Sequence, residues 1–242
     1  PDGSISIDND HNLYFGSFYG MNKVMRIPLP IRRNPQGVVW SSGEMLRESM
    51  NQISGRTMND NYGCNRWGDQ LYVCDGPRML VWTNYRASAT FAHAAYVVGQ
   101  DSFERRDQPG GPLGAGGGQI TTGSNFVFVA CDWSTRIVVC KAPITGGGKN
   151  YPYLKILQSG NGSVKWDDNG GSVTFSVNGL VYDAVGNCLW ISDYNRNRIL
   201  RIRDPLGVAR VDLVLGQTNK TDSADNHGLG LWTTDARGFA AP

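Results

Sequence analysis

Charge is scarce in this chain. Lys, Arg, Asp and Glu make up 18% of its 242 residues, against roughly 25% in an average soluble domain. The 23 basic and 21 acidic side chains leave a formal charge of +2. The basic residues are scattered, and Arg32-Arg33, Arg105-Arg106 and Arg196 with Arg198 are isolated pairs. They form no stripe of the kind that tracks a phosphate backbone, so a nucleic-acid partner is not expected. No run of about 18 apolar residues exists, so the sequence holds no candidate helical membrane span. The three histidines, His11, His93 and His227, stand far apart, and the five cysteines include no Cys-x-x-Cys pair. Neither pattern suggests a metal site, and no cofactor is expected. There is no Gly-x-Ser-x-Gly elbow and no Ser/His/Asp or Cys/His arrangement that would announce covalent catalysis. The chain starts at Pro1, so the lack of a targeting signal carries no weight.

What the chain has in excess is glycine, with 31 residues, nearly twice the average share of about 7%. Short apolar runs alternate with Gly, Asn and Asp turns, which reads as all-β. Four segments repeat one another: Ile5 to Ile27, Gly63 to Trp82, Gln119 to Cys140 and Gly179 to Ile202. In each, a strand ends in a polar turn such as Asp183 to Asn187. A strand with a large central residue follows: Leu13-Tyr14-Phe15, Leu71-Tyr72-Val73, Val127-Phe128-Val129 and Leu189-Trp190-Ile191. A small residue plus Asp or Ser, a loop, an Arg or Lys and a third apolar strand complete the unit. A fourth strand recurs as Tyr96-Val97-Val98-Gly99-Gln100 and Val214-Leu215-Gly216-Gln217, with Leu154 to Gln158 and Gly37 to Trp40 in equivalent places. Four antiparallel strands per unit is the blade of a β-propeller. The anchors Leu13, Leu71, Val127 and Leu189 lie 58, 56 and 62 residues apart, longer than the roughly 40–45 of a compact WD40 blade. The surplus falls in Gly- and Asn-rich linkers such as 110–118 and 160–171. The approximate blades are 1–58, 59–115, 116–176 and 177–242, in a single array.

This grammar resembles the NHL repeat, most closely over residues 179–202, where an Asn187 turn, Leu189-Trp190-Ile191, Asp193 and an Asn195-Arg196-Asn197-Arg198 loop follow one another. Arg78 to Asn84 followed by Val-Val-Gly-Gln100 is similar to a bacterial-style subgroup of long NHL repeats. Repeat 3 departs from the pattern, with Thr121-Thr122-Gly123-Ser124 at the Asp turn, and repeat 2 lacks the Asn-x-Arg loop. NHL propellers usually have six blades, and Gly238 to Pro242 looks like the entry to another. The resemblance therefore implies part of a larger, about six-bladed propeller; a closed four-bladed ring is the alternative.

Two meanings are open for the recurring acids Asp75, Asp132 and Asp193. They could ring a channel and attract a cation, or each could cap its turn and hold a nearby Arg. Tyr14, Tyr72, Phe128 and Trp190 read either as a stacking platform or as packing between blades. The loops between second and third strands vary, which makes Phe18, Tyr19, Arg78, Trp133, Arg136, Tyr194 and Arg196 the candidate ligand or partner rim. Cys64–Cys74 and Cys131–Cys140 are candidate hairpin disulfides, provided their Cα atoms come within about 7 Å. Asn161 and Asn219 open N-glycosylation sequons. Together these lean toward an extracellular or cell-surface setting.

The function read from these features is a non-enzymatic binding or structural scaffold with a protein or glycan partner and scope for self-assembly. The alternative comes from the resemblance, which includes metal-dependent lyase and lactonase propellers. That reading needs metal ligands outside this segment, because none of the three histidines lies on an inner strand. An RNA-binding NHL domain is a third reading, and the nearly neutral charge disfavours it.

Overall fold

The structure, a computed structural model, describes residues 5–7, 12–17, 23–28, 44–47, 61–86, 92–106, 113, 117–131 and 135–224. Among these residues are four successive sheets, whose antiparallel strands are ordered as they occur in the chain apart from the short Lys165–Trp166 strand of the fourth. The first is β1 (Ile5–Ile7), β2 (Asn12–Ser17), β3 (Lys23–Pro28) and β4 (Glu44–Arg47). The second is β5 (Asn61–Trp67), β6 (Gln70–Asp75), β7 (Arg78–Trp82) and β8 (Tyr96–Val98). The third is β9 (Gly117–Gly123), β10 (Phe126–Cys131), β11 (Arg136–Lys141) and β12 (Lys155–Gln158). The short β13 (Lys165–Trp166) precedes β14 (Val177–Asp183), β15 (Cys188–Asp193), β16 (Arg198–Arg203) and β17 (Arg210–Leu215), which make the fourth. Successive first strands pack on one another, β1 on β5, β5 on β9 and β9 on β14. The sheets therefore converge along that edge. The chain is all-β, and its four meanders are the blades of a β-propeller.

Turn chemistry sets the register. Ser124 and Asn125, both at positive φ (46° and 68°), join β9 to β10 with Gly123 opposite Phe126. A two-residue turn of this hand matches the twist of the strands it connects. It takes the place of the missing Asp turn in repeat 3. Asp183 closes its own turn instead, accepting from the backbone N–H groups of Val185 and Gly186 at 3.0 Å each.

The core lies between blades. Tyr14 is fully buried with Leu71, Val73 and Leu80 of the second sheet, and its ring meets Tyr85 edge-on at 5.5 Å. Tyr72 is buried with Val127, Val129 and Val138 of the third. Phe128 is buried with Leu180, Leu189 and Leu200 of the fourth, its ring 4.6 Å from that of Tyr182. These three aromatic side chains are wedges between one blade and the next.

Three sequence expectations need correction. The fourth strand of the first sheet is β4, at residues 44–47, while 37–40 lies outside the described residues. Part of the 160–171 linker is ordered as β13, which pairs in parallel with β17 and widens the fourth sheet to five strands. Neither candidate disulfide forms, and all five cysteines are buried thiols. Cys64 lies opposite Val73 and Cys74 opposite Gly63, and neighbouring positions on a strand point to opposite faces. Their thiols accordingly sit in two different cores, with Tyr14 and with Tyr72. Cys131 lies opposite Arg136 and Cys140 opposite Val127, so on the order of 13 Å of strand separates them.

Burial pushes the Cys140 thiol up to about 12 and Cys74 higher still, so neither is a thiolate at neutral pH. The native protein at pH 8 should leave a thiol-specific aromatic disulfide reagent unreacted, and guanidinium should release all five thiols. A titre of three or one under denaturing conditions without reductant would show that a bridge exists.

Candidate partner-binding rim

The second-to-third strand turns put a carboxylate and a guanidinium in register. Asp75 ends β6, Arg78 opens β7, and the Gly76-Pro77 turn sets them directly opposite each other. Gly76 has φ +58°, and a Cβ there would lie 2.4 Å from the Arg106 guanidinium. Arg78 donates from Nε to Asp75 Oδ2 at 2.7 Å, and its Nη1 donates to the Phe103 carbonyl. Arg106 stands 3.7 Å from the other carboxylate oxygen. Both members of the Asp75–Arg78 pair are fully buried.

The fourth blade repeats the arrangement across a longer loop. Asp193 and Arg198 are opposite in register, flanking a 3-10 turn at Tyr194–Arg196 that closes on Asn197 at φ +48°. Arg198 Nε donates to Asp193 Oδ2 at 2.8 Å, Nη2 to the Thr174 carbonyl at 2.8 Å, and Nη1 to the Lys220 carbonyl. The Ser176 N–H donates to Asp193 Oδ1 at 2.9 Å. Burial pushes the Asp193 carboxyl up and the Arg198 guanidinium down, and the attraction between them opposes both shifts.

The Gly-Gln ending of the fourth strand belongs to the same brace, a role not apparent from the sequence. Gly99 and Gly216 have φ of +93° and +92°, a conformation open mainly to glycine. Each turns the chain so that the next residue reaches back to the loop. Gln100 Nε2 lies 3.4 Å from the Pro77 carbonyl, and Gln217 Nε2 donates to the carbonyls of Arg196, Asn197 and Ala224 at 2.9–3.1 Å. Three residues after each Gln come Phe103 and Lys220, whose carbonyls receive the Arg. In the third blade, Arg136 pairs with Gln158, so Ser159 takes the Gln position. Ser159 N donates to the Thr135 carbonyl at 2.9 Å, and its Oγ accepts from Phe175 N at 2.8 Å.

These contacts divide the candidate rim. Arg78 is 1% exposed and committed to Asp75, so it cannot meet a partner; that assignment is corrected. Asp75 and Asp193 hold arginines as the structural reading of the acids requires, while Asp132 lies outside the described residues. Phe18, Tyr19 and Trp133 are outside them too. Arg136 is partly buried at the start of β11. Tyr194 is half-exposed, and Arg196 beside it is partly exposed, donating from Nε to Thr174 Oγ1 at 3.2 Å.

On the outer edge of the same blade, β13 and β17 frame a cleft of about 280 Å³ lined by Trp166, Asp167, Asp168, Asp212, Leu213 and Lys220 among others. Lys220 Nζ lies 2.6 Å from Asp168 Oδ2 and 5.6 Å from the Trp166 ring centre. That hydrogen bond holds the Asp168 carboxyl below its ordinary range. The cleft was not read from the sequence, because its residues come from a linker, a fourth strand and the segment beyond it.

The sequons Asn161 and Asn219 are both exposed. Asn161 Oδ1 accepts from Ser163 N at 3.0 Å, and Asn219 accepts from Thr221 N and Asp222 N. His93 is exposed, edge-on to Phe103 at 4.4 Å; His11 and His227 lie outside the described residues. Among the described residues no three His, Cys, Asp or Glu side chains are grouped to hold a metal, and no helix is long and apolar enough to cross a membrane.

No protein-family model and no curated protein matches the chain. Solved structures do. A chain of the mitotic checkpoint complex is 12% identical over 87% of this chain and 49% of its own, with a TM-score of 0.49. The Neurospora crassa Pan2 WD40 domain is 10% identical over 88% and 49%, at 0.49. Virginiamycin B lyase from Staphylococcus aureus is 13% identical over 89% and 55%, at 0.44. The chain thus spans about half the length of these structures. Its architecture rests on its own strand order, and no chemistry passes to it from them.

Removing one partner of a buried ion pair strands the other. Asp193→Asn or Arg198→Met should cost about 3–5 kcal/mol in urea unfolding, whereas Tyr194→Ala should stay within about 0.5 kcal/mol. Equal losses at all three positions would show that the pair does not brace the loop.

Proposed function

We propose that this chain is a non-enzymatic binding scaffold of the NHL-repeat type, taking protein or glycan partners at its rim and in the Trp166 cleft. One observation carries the reading. The polar residues that recur from blade to blade are engaged inside the fold: Asp75 with Arg78, Asp193 with Arg198, and Gln100 and Gln217 with loop carbonyls. A recurring acid that is buried against arginine is poorly placed to act as a general base or metal ligand. The exposed chemistry is the non-recurring kind: Tyr194, Arg196, and the Trp166 ring beside Asp168 and Lys220. Aromatic and Arg side chains on variable loops suit recognition. An extracellular or cell-surface setting is part of this proposal; it is supported by the exposure of both sequons and takes no support from the thiols.

The test has two arms. On a glycan array the protein should bind a defined subset of structures, and Trp166→Ala should weaken that binding about tenfold or more. Incubated with a panel of lactones and divalent metals, it should show no turnover. Metal-dependent turnover abolished by a chelator would replace this reading with the lyase or lactonase one, and array binding untouched by Trp166→Ala would remove the cleft from the partner surface.

A further inference from the structure

Asparagine is followed by glycine three times, at Asn161-Gly162, Asn169-Gly170 and Asn178-Gly179, and the fold treats the three differently. In such a pair the glycine nitrogen can attack the Asn side-chain carbonyl, because no Cβ shields it. The nitrogen must be free to give up its proton, and the oxygen that gains charge needs a donor beside it. All three asparagines are exposed, so burial does not separate them. Asn178-Gly179 lies inside β14, with Gly179 opposite Ser192 of β15, and closing a ring there would break the ladder. At Asn169 the oxygen is served, since Gly171 N donates to Oδ1 at 2.9 Å. The nucleophile is not available there, because Gly170 N donates to the Trp166 carbonyl at 3.0 Å. Asn161 meets both conditions. Ser163 N donates to its Oδ1 at 3.0 Å, while Gly162 N donates to no acceptor among the described residues. The turn is held in this form: Ser163 Oγ accepts from Gln158 N at 2.6 Å and donates to the Gln158 carbonyl at 3.1 Å.

We infer that Asn161 is a site of self-modification, deamidating through a cyclic imide with water as the co-reactant. Hydroxide takes the Gly162 amide proton, and the nitrogen bonds to Asn161 Cγ while the Ser163 N–H steadies the charge on Oδ1. The Cγ–Nδ2 bond then breaks, and Nδ2 takes a proton from water and leaves as ammonia. Water opens the ring at either carbonyl, leaving aspartate or isoaspartate at position 161. Two consequences follow from the geometry. Nδ2 is the atom that a glycan on this sequon would occupy, so the reaction consumes the sequon, a glycan blocks the reaction, and the two modifications exclude each other. The new carboxylate also arises on the rim side of the blade. A Cβ at Gly160 would stand 3.5 Å from the Thr174 methyl, and Thr174 Oγ1 accepts from Arg196. The chemistry is independent of the binding reading, and only its effect on a partner at Arg196 rests on it.

The test is peptide mapping of the unglycosylated 242-residue chain after incubation in mildly alkaline buffer, with fragmentation that separates aspartate from isoaspartate. Both products should accumulate at Asn161, at a rate proportional to hydroxide. Asn169 should react about tenfold more slowly, the worth of one engaged hydrogen bond, and Asn178 more slowly still. In urea the three sites should react at similar rates, because the sequence pair is the same and only the fold distinguishes them. Equal rates in the folded protein, or Asn169 ahead of Asn161, would overturn the inference. So would an Asn161 that reacts no faster folded than it does in urea. The readout involves no ligand, so a failed glycan array leaves it standing and its own failure leaves the binding reading untouched.

Discussion

A four-stranded meander has two faces, and in this chain both carry apolar side chains, so no blade can bury its own core. What holds the fold is the contact of one sheet with the next, made by a large ring inserted against aliphatic residues. Tyr14, Tyr72 and Phe128 have 0% exposure, and the clusters around them draw on pairs of adjacent sheets. This one constraint accounts for the period of the repeat, because the ring must recur at the same strand position in every blade. It also accounts for the fate of the cysteines. Cys64 and Cys74 are neighbours across a ladder, but each belongs to a different inter-blade core, and the pleat that separates the cores also separates the thiols.

With the cores committed to this packing, the blade edges need a second device to hold their loops. A buried guanidinium provides it. Arg78 and Arg198 each join a strand-ending Asp to a carbonyl from the segment after the fourth strand, while Gln100 and Gln217 reach back to loop carbonyls. The brace links the second, third and fourth strands with the connection to the next blade. A neutral pair filled with backbone hydrogen bonds suits a chain so poor in free charge. Desolvation raises Asp193 and lowers Arg198, so each is tolerable inside only because the other is there.

The strand order and the wedge positions were legible in the sequence because both follow from periodicity. Alternation marks the strands, and a large residue at a constant offset marks the interface. Roles that depend on which of two similar residues turns inward were not legible. Arg78 and Arg196 both follow a blade Asp within three residues, yet one is buried and the other faces outward. The difference is loop length. A two-residue turn brings Arg78 opposite Asp75, whereas the longer turn of the fourth blade brings Arg198, not Arg196, opposite Asp193. The Gly-Gln pair was visible as a recurring strand ending, but its function depends on a positive φ that sends the Gln side chain back to the loop. The Trp166 cleft left no sequence signal at all, since β13 reaches the fourth sheet by a parallel pairing that no local pattern encodes.

An array held together by nearest-neighbour contacts has its free energy distributed over its interfaces, and its end blades have one interface instead of two. In this chain the outer faces of the first and fourth blades differ in kind. The first blade presents aliphatic side chains, Ile7 and the partly buried Leu13, and the last presents an aromatic ring partly covered by its own arginine. The Trp190–Arg201 contact, with Asp212 behind it, gives the last face a polar cover that Tyr72 and Phe128 do not need, because Val81 and Val139 stand opposite them. Such a face tolerates water while remaining complementary to an aliphatic surface. The fourth blade thus keeps, beneath a polar cover, the aromatic geometry with which Tyr14, Tyr72 and Phe128 pack against the next blade.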